Sequence, residues 1–409
     1  MRSVYEGGMW TPPLIRNISI LALCQAMFFM ANTMLISTSP LVGLKLAPMH
    51  ALATLPLGFQ FLGSMVTALP ASYLMRAIGR RHGLAFGCLF GIAAGILAAT
   101  AVMQESFVLF LVASVLYGCF SAFCQFYRFT AADAADRTDP SGGARSRAIS
   151  LVLAGGVVAA VLGPETAKLT KDWIDGALFA GCYVSIAGLA LLSAIGLLSM
   201  HLPRIVETQV SGESRTAWEI FRQPMAATAL FSAIAAYLTM NLIMTATPLA
   251  MQVEGHLFES TAFVIQWHVL GMFAPSFFTG ALIARFGEHR MIATGAILLL
   301  AAVAINLSGV QLVHFTVALG LLGIGWNFMF IGGTTLLTKC YRPAEKAKAQ
   351  GVNDLLLFSA VAMSASASGA LHDALGWQVM NMMVVPLLLG SLALAIKQSG
   401  SAARNAALS

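Results

Sequence analysis

Two consecutive apolar stretches carry side chains that bind soft metal ions. "YLTMNLIMTATPLAM" (237–251) holds Met240 and Met244, and "QWHVLGM" (266–272) holds His268 and Met272. A spacing of four stacks both members of each pair on one face of a helix. Thioether and imidazole are neutral, soft or borderline donors, which disfavour Mg²⁺ and Ca²⁺ and favour Cu(I). Zinc would recruit a thiolate or carboxylate, and neither accompanies these four. A monovalent ion on neutral ligands leaves a single charge in an apolar interior, and weak ligation suits a site that must release its ion. "MFFMANTM" (27–34) repeats the spacing with Met30 and Met34, a weaker candidate pair. The competing explanation is packing. Methionine fills irregular apolar gaps, and a histidine in an apolar span is also stable as a neutral ring hydrogen-bonded to a neighbouring helix.

The elements that must position these residues follow from composition. The 409 residues are 58% hydrophobic and only 10% charged, with a mean hydropathy of +0.81, whereas soluble domains are about 25% charged. Apolar runs long enough to cross a bilayer recur along the whole chain. They predict an all-α integral membrane protein with twelve transmembrane helices: 17–44, 51–75, 82–103, 107–130, 147–167, 176–200, 226–251, 260–284, 288–308, 312–338, 353–371 and 377–397. With the N-terminus in the cytoplasm, all 23 Lys and Arg except Lys45, Lys168 and Lys171 fall on the cytoplasmic side. This predicts both termini inside. The basic excess then faces anionic lipid headgroups rather than nucleic acid. Six cysteines in or beside spans read as small packing residues, not a disulfide framework.

The longest polar interruption divides the chain into an N-terminal six-helix half (1–200), a cytoplasmic central loop (201–224) and a C-terminal six-helix half (225–409). A shift of 208 residues lays one half on the other. "SYLMRAIGRRHG" (72–83) falls on "GALIARFGEHRM" (280–291), "TMLISTSPL" (33–41) on "NLIMTATPL" (241–249), and Gly63 on Gly271. Two pseudo-symmetric halves are typical of secondary transporters. The two loop sequences resemble the cytoplasmic G-x-L-x-D-R-x-G-R-K signature of the major facilitator superfamily. Gly79, Arg80 and Arg81 match it in the first half, and Gly280, Leu282, Arg285 and Gly287 in the second; Arg76 and Ala284 stand where the signature is acidic. "GGVVAAVLGPE" (155–165) resembles the Gly-rich fifth helix of that superfamily.

The pairing of M-x-x-x-M in helix seven with H-x-x-x-M in helix eight is similar to the copper-importing, CcoA-like branch of the same superfamily. That resemblance implies a bacterial inner-membrane protein importing copper by alternating access, for assembly of haem–copper cytochrome c oxidase. Met240, Met244, His268 and Met272 would be its ligands, and a cytoplasmic copper chaperone is a candidate recipient. Copper would be the cargo, and no prosthetic group is expected. The alternative is a proton-coupled transporter, an efflux system, for a small organic solute or drug. There His268 would carry the proton, the methionines would form an adaptable pocket, and Glu165 beside Gly163-Pro164 would assist coupling. No nucleotide loop or catalytic motif appears, so neither an enzyme nor an ATP-driven pump is expected. At the cytoplasmic rim, Arg76 and Asp354 are expected to form a charge-swapped gate pair. Asp354 would sit near the positive end of its helix.

Overall fold

The computed structural model describes residues 11–136, 143–200 and 215–408. Residues 201–214 of the expected central loop lie outside the described residues, as do Arg2, Arg137 and Arg204 of the charge asymmetry. All regular structure among the described residues is helical. The chain divides into two compact units. Met1–Val42 with Phe59–Glu207 form the first, and Gly43–Gly58 with Thr208–Ser409 form the second.

The helices of unit one are α1 (Pro12–Leu46, continuing into the second unit's Gly43–Gly58), α2 (Leu55–Ile78, entering unit one at Phe59), α3 (Arg80–Met103), α4 (Phe107–Cys124), α5 (Tyr127–Asp136), α6 (Gly143–Thr170) and α7 (Ala180–Leu198). α3 carries Gly83, Gly87, Gly91 and Gly95, one per turn, and packs between α4 and α7. A Cβ on Gly87 would lie 2.4 Å from the Phe123 ring, and one on Gly95 would lie 2.6 Å from the Ala187 nitrogen. In lipid, helices associate through such close approach, because lipid tails remove the hydrophobic drive between them.

Unit two holds the short α8 (Ala217–Phe221), then α9 (Pro224–Val253), α10 (Phe258–Phe273), α11 (Ser276–Phe286), α12 (Glu288–Ser308), α13 (Leu312–Thr338), α14 (Lys346–Met383) and α15 (Val385–Leu408). Among the described residues, ten segments are long and apolar enough to cross a bilayer, and the α10–α11 pair, bent by 42°, makes an eleventh. The last segment, Lys348–Ser399, has 52 residues. That is about 78 Å of helix against an apolar thickness of about 30 Å. It breaks at Gly376, where φ is +74°, and so supplies two of the expected spans.

The 208-residue shift recurs in three dimensions inside each unit. Gly79 (φ 89°, ψ 154°) and Gly287 (φ 84°, ψ 158°) take up the same backbone before α3 and α12, in a region that glycine alone enters without strain. The next residue is ion-paired in both units, with the charges exchanged. Arg80 pairs with Asp133 at 2.8 Å, and Glu288 with Lys339 at 2.6 Å. Pro40 in α1 matches Pro248 in α9, each removing one N–H from its helix's bonding. All six cysteines are free thiols.

Candidate functional site

In unit two, α13 packs along both α9 and α10, which touch each other over a much shorter stretch. Met240 and Met244 are buried on α9 at 3% and 4% exposure, His268 is wholly buried on α10, and Met272 is half-buried. Nδ1 of His268 lies 2.9 Å from the Leu319 carbonyl oxygen on α13. A carbonyl only accepts, so Nδ1 carries the proton and Nε2 holds the lone pair. Nε2 is buried without a hydrogen-bond partner. It is therefore an unused acceptor, of the kind that takes up either a metal ion or a hydrogen-bond donor. No group of three His, Cys, Asp or Glu among the described residues could hold a metal.

The α10–α13 contact depends on small residues. A Cβ on Gly323 would lie 2.3 Å from the His268 carbonyl oxygen and 2.8 Å from the Met272 nitrogen. Met272 sits at the bend between α10 and α11, which Asn327 of α13 braces. Asn327 Nδ2 donates to the Met272 carbonyl at 2.6 Å and to Ser276 Oγ at 2.7 Å, and its Oδ1 accepts from Thr279 at 2.7 Å.

One turn before Met240, Tyr237 stands edge-on to two rings of α13, with centroids 5.0 Å from Trp326 and 4.9 Å from Phe330. Trp326 and Phe330 stack at 5.2 Å and 11°. The Trp326 Nε1–H is buried without a partner. α9 is fixed to α14 on another side, where Asn241 Nδ2 donates to the Val361 carbonyl and Ser364 Oγ at 3.2 and 3.0 Å. The methionines thus share α9 with Tyr237, which meets the rings of α13, and with a line of buried polar groups. Nothing in the soft-ligand pattern points to Tyr237, Trp326 or Asn327.

The other expected residues are placed as follows. Met34 is buried and Met30 half-buried on α1. Arg76 is exposed near the end of α2 in unit one. Asp354 is exposed early in α14 in unit two, where Asn353 donates to it at 3.1 Å. Glu165 is already paired with Lys168 at 2.5 Å on α6. His50 faces Asp373 at 3.9 Å on a cavity of about 450 Å³ in unit two, which Phe315 and Trp377 also line.

The helical architecture, the internal repeat, the glycine-seated contacts and the broken α10–α11 span define a secondary-transporter fold. The family model of the Major Facilitator Superfamily matches residues 21–267 and 229–406, and the chain belongs to that superfamily. It is 41% identical over 393 residues to the riboflavin transporter RfnT of Brucella anthropi, covering 95% of this chain and 98% of that one. It is 30% identical to YdeG of Bacillus subtilis, an uncharacterized MFS-type transporter, over 82% of this chain and 80% of that protein. The fold matches a bacterial homologue of the human lysosomal transporter Spinster, solved inward-facing and unoccupied, with a TM-score of 0.70 at 16% identity, covering 94% and 96% of the two chains. The chain is thus a multi-pass membrane transporter and not an enzyme. The comparisons lie nearer to the organic-solute alternative than to copper.

Proposed function

We propose that this chain is a secondary transporter of riboflavin or a closely related isoalloxazine, moved across the bacterial inner membrane by alternating access. The observation that carries this reading is the 41% identity to a riboflavin transporter along nearly the full length of both chains. The chemistry of unit two supports it. Tyr237, Trp326 and Phe330 form an aromatic wall, and stacking on such rings is worth about 0.5–1.5 kcal/mol beyond area burial. The unpartnered Trp326 N–H and His268 Nε2 offer one donor and one acceptor, the few polar contacts that orient a flat solute in an apolar pocket. Met240 and Met244 then serve as deformable apolar lining.

Copper transport is the second reading. It rests on the unused Nε2 of His268 and on its resemblance-derived ligand set of Met240, Met244, His268 and Met272. One experiment separates the two. Purified protein in proteoliposomes is assayed for flux of labelled riboflavin and, in parallel, of radioactive copper under reducing conditions. Riboflavin flux that unlabelled riboflavin suppresses and Ag(I) leaves unchanged supports the flavin reading. Copper flux with no riboflavin flux overturns it.

Gating in this cycle is proposed to use Arg76 and Asp354. Arg76→Asp and Asp354→Arg should each slow flux several-fold, and the double reversal should restore it. Simple additivity of the two defects would remove the pair.

A further inference from the structure

We propose that Gln60, braced by Asn32, is a substrate-recognition residue of unit one that accepts a hydrogen bond from the N–H of a cyclic imide. This rests on the flavin reading above and names the part of the flavin that is read.

Gln60 is 3% exposed, and its Oε1 is buried without a partner. Its Nε2 is committed elsewhere, donating to Asn32 Oδ1 at 3.1 Å. The side chain is therefore held in place with its acceptor unused. Leaving such an oxygen buried costs about 1–3 kcal/mol, a cost that a bound donor offsets.

The internal repeat adds an independent argument. The 208-residue shift carries Gln60 onto His268 and Asn32 onto Met240. The seating of the two residues is the same. A Cβ on Gly118 of α4 would lie 2.1 Å from the Gln60 carbonyl oxygen, as one on Gly323 of α13 would lie 2.3 Å from that of His268. Each unit thus presses a glycine against one residue of the preceding helix pair, and each time that residue ends in a buried acceptor with no partner. Packing requirements alone would favour an apolar side chain at both positions.

The acceptor defines the group it takes up. Its amide is fixed by the bond to Asn32, and an oxygen held in one position suits a donor N–H that is itself rigid, as on a planar conjugated ring. An imide N–H, flanked by two carbonyls, is such a donor, fixed in the plane of its ring. The ring system of riboflavin carries one imide. Its ribityl chain carries hydroxyls, which are also donors but are freely rotating.

The test compares flux of three compounds in proteoliposomes: riboflavin, riboflavin methylated at the imide nitrogen, and lumichrome, which keeps the imide and lacks the ribityl chain. The wild-type protein should prefer riboflavin over the methylated compound by about tenfold or more, since a site built to pair with an N–H rejects an analogue lacking it. Gln60→Met, similar in length, should bring that ratio close to one while leaving the riboflavin-to-lumichrome ratio in place. Asn32→Leu, which frees the amide from its brace, should also reduce the discrimination and serves where Gln60→Met does not reach the membrane. If the wild-type protein carries riboflavin and Gln60→Met keeps the discrimination, this inference fails alone. If Gln60→Met instead abolishes the preference for riboflavin over lumichrome, Gln60 reads the ribityl chain and the imide assignment is overturned. If the wild-type protein carries no flavin, the functional reading fails and this inference falls with it.

Discussion

A buried indole N–H without a partner costs about 1–3 kcal/mol, and Trp326 carries one. Such a group separates folding from function, because its removal relieves the empty protein and weakens the loaded one. Trp326→Phe keeps a ring to stack on Phe330 and deletes the N–H. The substrate-free variant should unfold at the same temperature as the wild type or slightly above it. Its KM for riboflavin should rise by about two- to tenfold, the worth of one net hydrogen bond. A clear fall in thermal stability with unchanged KM would mean that the indole is only packing. The same logic makes the orphaned Nε2 of His268 the most informative atom on α10. The sequence places an imidazole mid-span, but the Leu319 carbonyl on another helix decides which nitrogen is protonated and which is open.

At the scale of elements, the repeated unit is a helix pair closed by glycine. α4 meets α2 at Gly118 and α13 meets α10 at Gly323, with no room for a Cβ at either contact. Because the obstructing atoms are backbone carbonyl oxygens, neither side yields by a change of rotamer. Gly118→Ala and Gly323→Ala should each destabilise the protein in detergent by about 1–3 kcal/mol, the usual cost of overpacking. Gly188→Ala, where nothing lies within 4 Å, is the control and should sit near wild type. Both destabilised variants should also lose flux, since Gln60 and His268 are the residues they displace. Equal stability of the three variants, read by thermal unfolding, would refute the close-contact account. The pairs Arg80–Asp133 and Glu288–Lys339 make a related point. Both units staple the start of one span to the end of the next, and the sign of the charge is free because either order of the pair gives the same attraction.

At the scale of the whole molecule, Arg215, just ahead of α8, is fastened to the turn between α13 and α14 within unit two. The Arg215 guanidinium grips the Glu345 carboxylate through two bonds, 2.8 Å from Nε and 2.7 Å from Nη2. The backbone N–H groups of Arg215 and Arg342 donate to the same carboxylate at 3.0 and 2.9 Å. These contacts, with the Arg215 side chain foremost, hold the Glu345 carboxyl well below the usual carboxylate range. A carboxylate whose folded pKa is depressed stabilises the fold above its unfolded pKa of about 4.3 and loses that contribution as pH falls toward the folded value. Wild type should therefore exceed Glu345→Gln in unfolding temperature near neutral pH, and the gap should narrow below about pH 4. A gap that stays constant with pH would mean that the carboxylate charge contributes nothing to this clip.

Several properties of this protein are determined by sequence alone. Hydrophobic runs of span length dictate a helical membrane protein, since only closed hydrogen bonding survives in lipid. The recurrence of Gly79, Pro40 and Gly63 at Gly287, Pro248 and Gly271 exposes the repeat, and with it the transporter class. The span ends are less legible. Gly376 breaks one continuous apolar segment, and the 42° bend at α10–α11 falls inside an apolar run that reads as straight. The soft-ligand spacing selects His268 and the methionines, because periodicity reveals which residues share a helix face. It says nothing about residues brought together from different helices, and so it misses Tyr237 against Trp326 and Phe330, Asn327 under the bend, and Gln60 against Asn32. The 208-residue shift does carry His268 onto Gln60, but a glutamine in an apolar run has no spacing signature. Only the tertiary structure decides that one of its two amide atoms is spent and the other is left buried with nothing to bind.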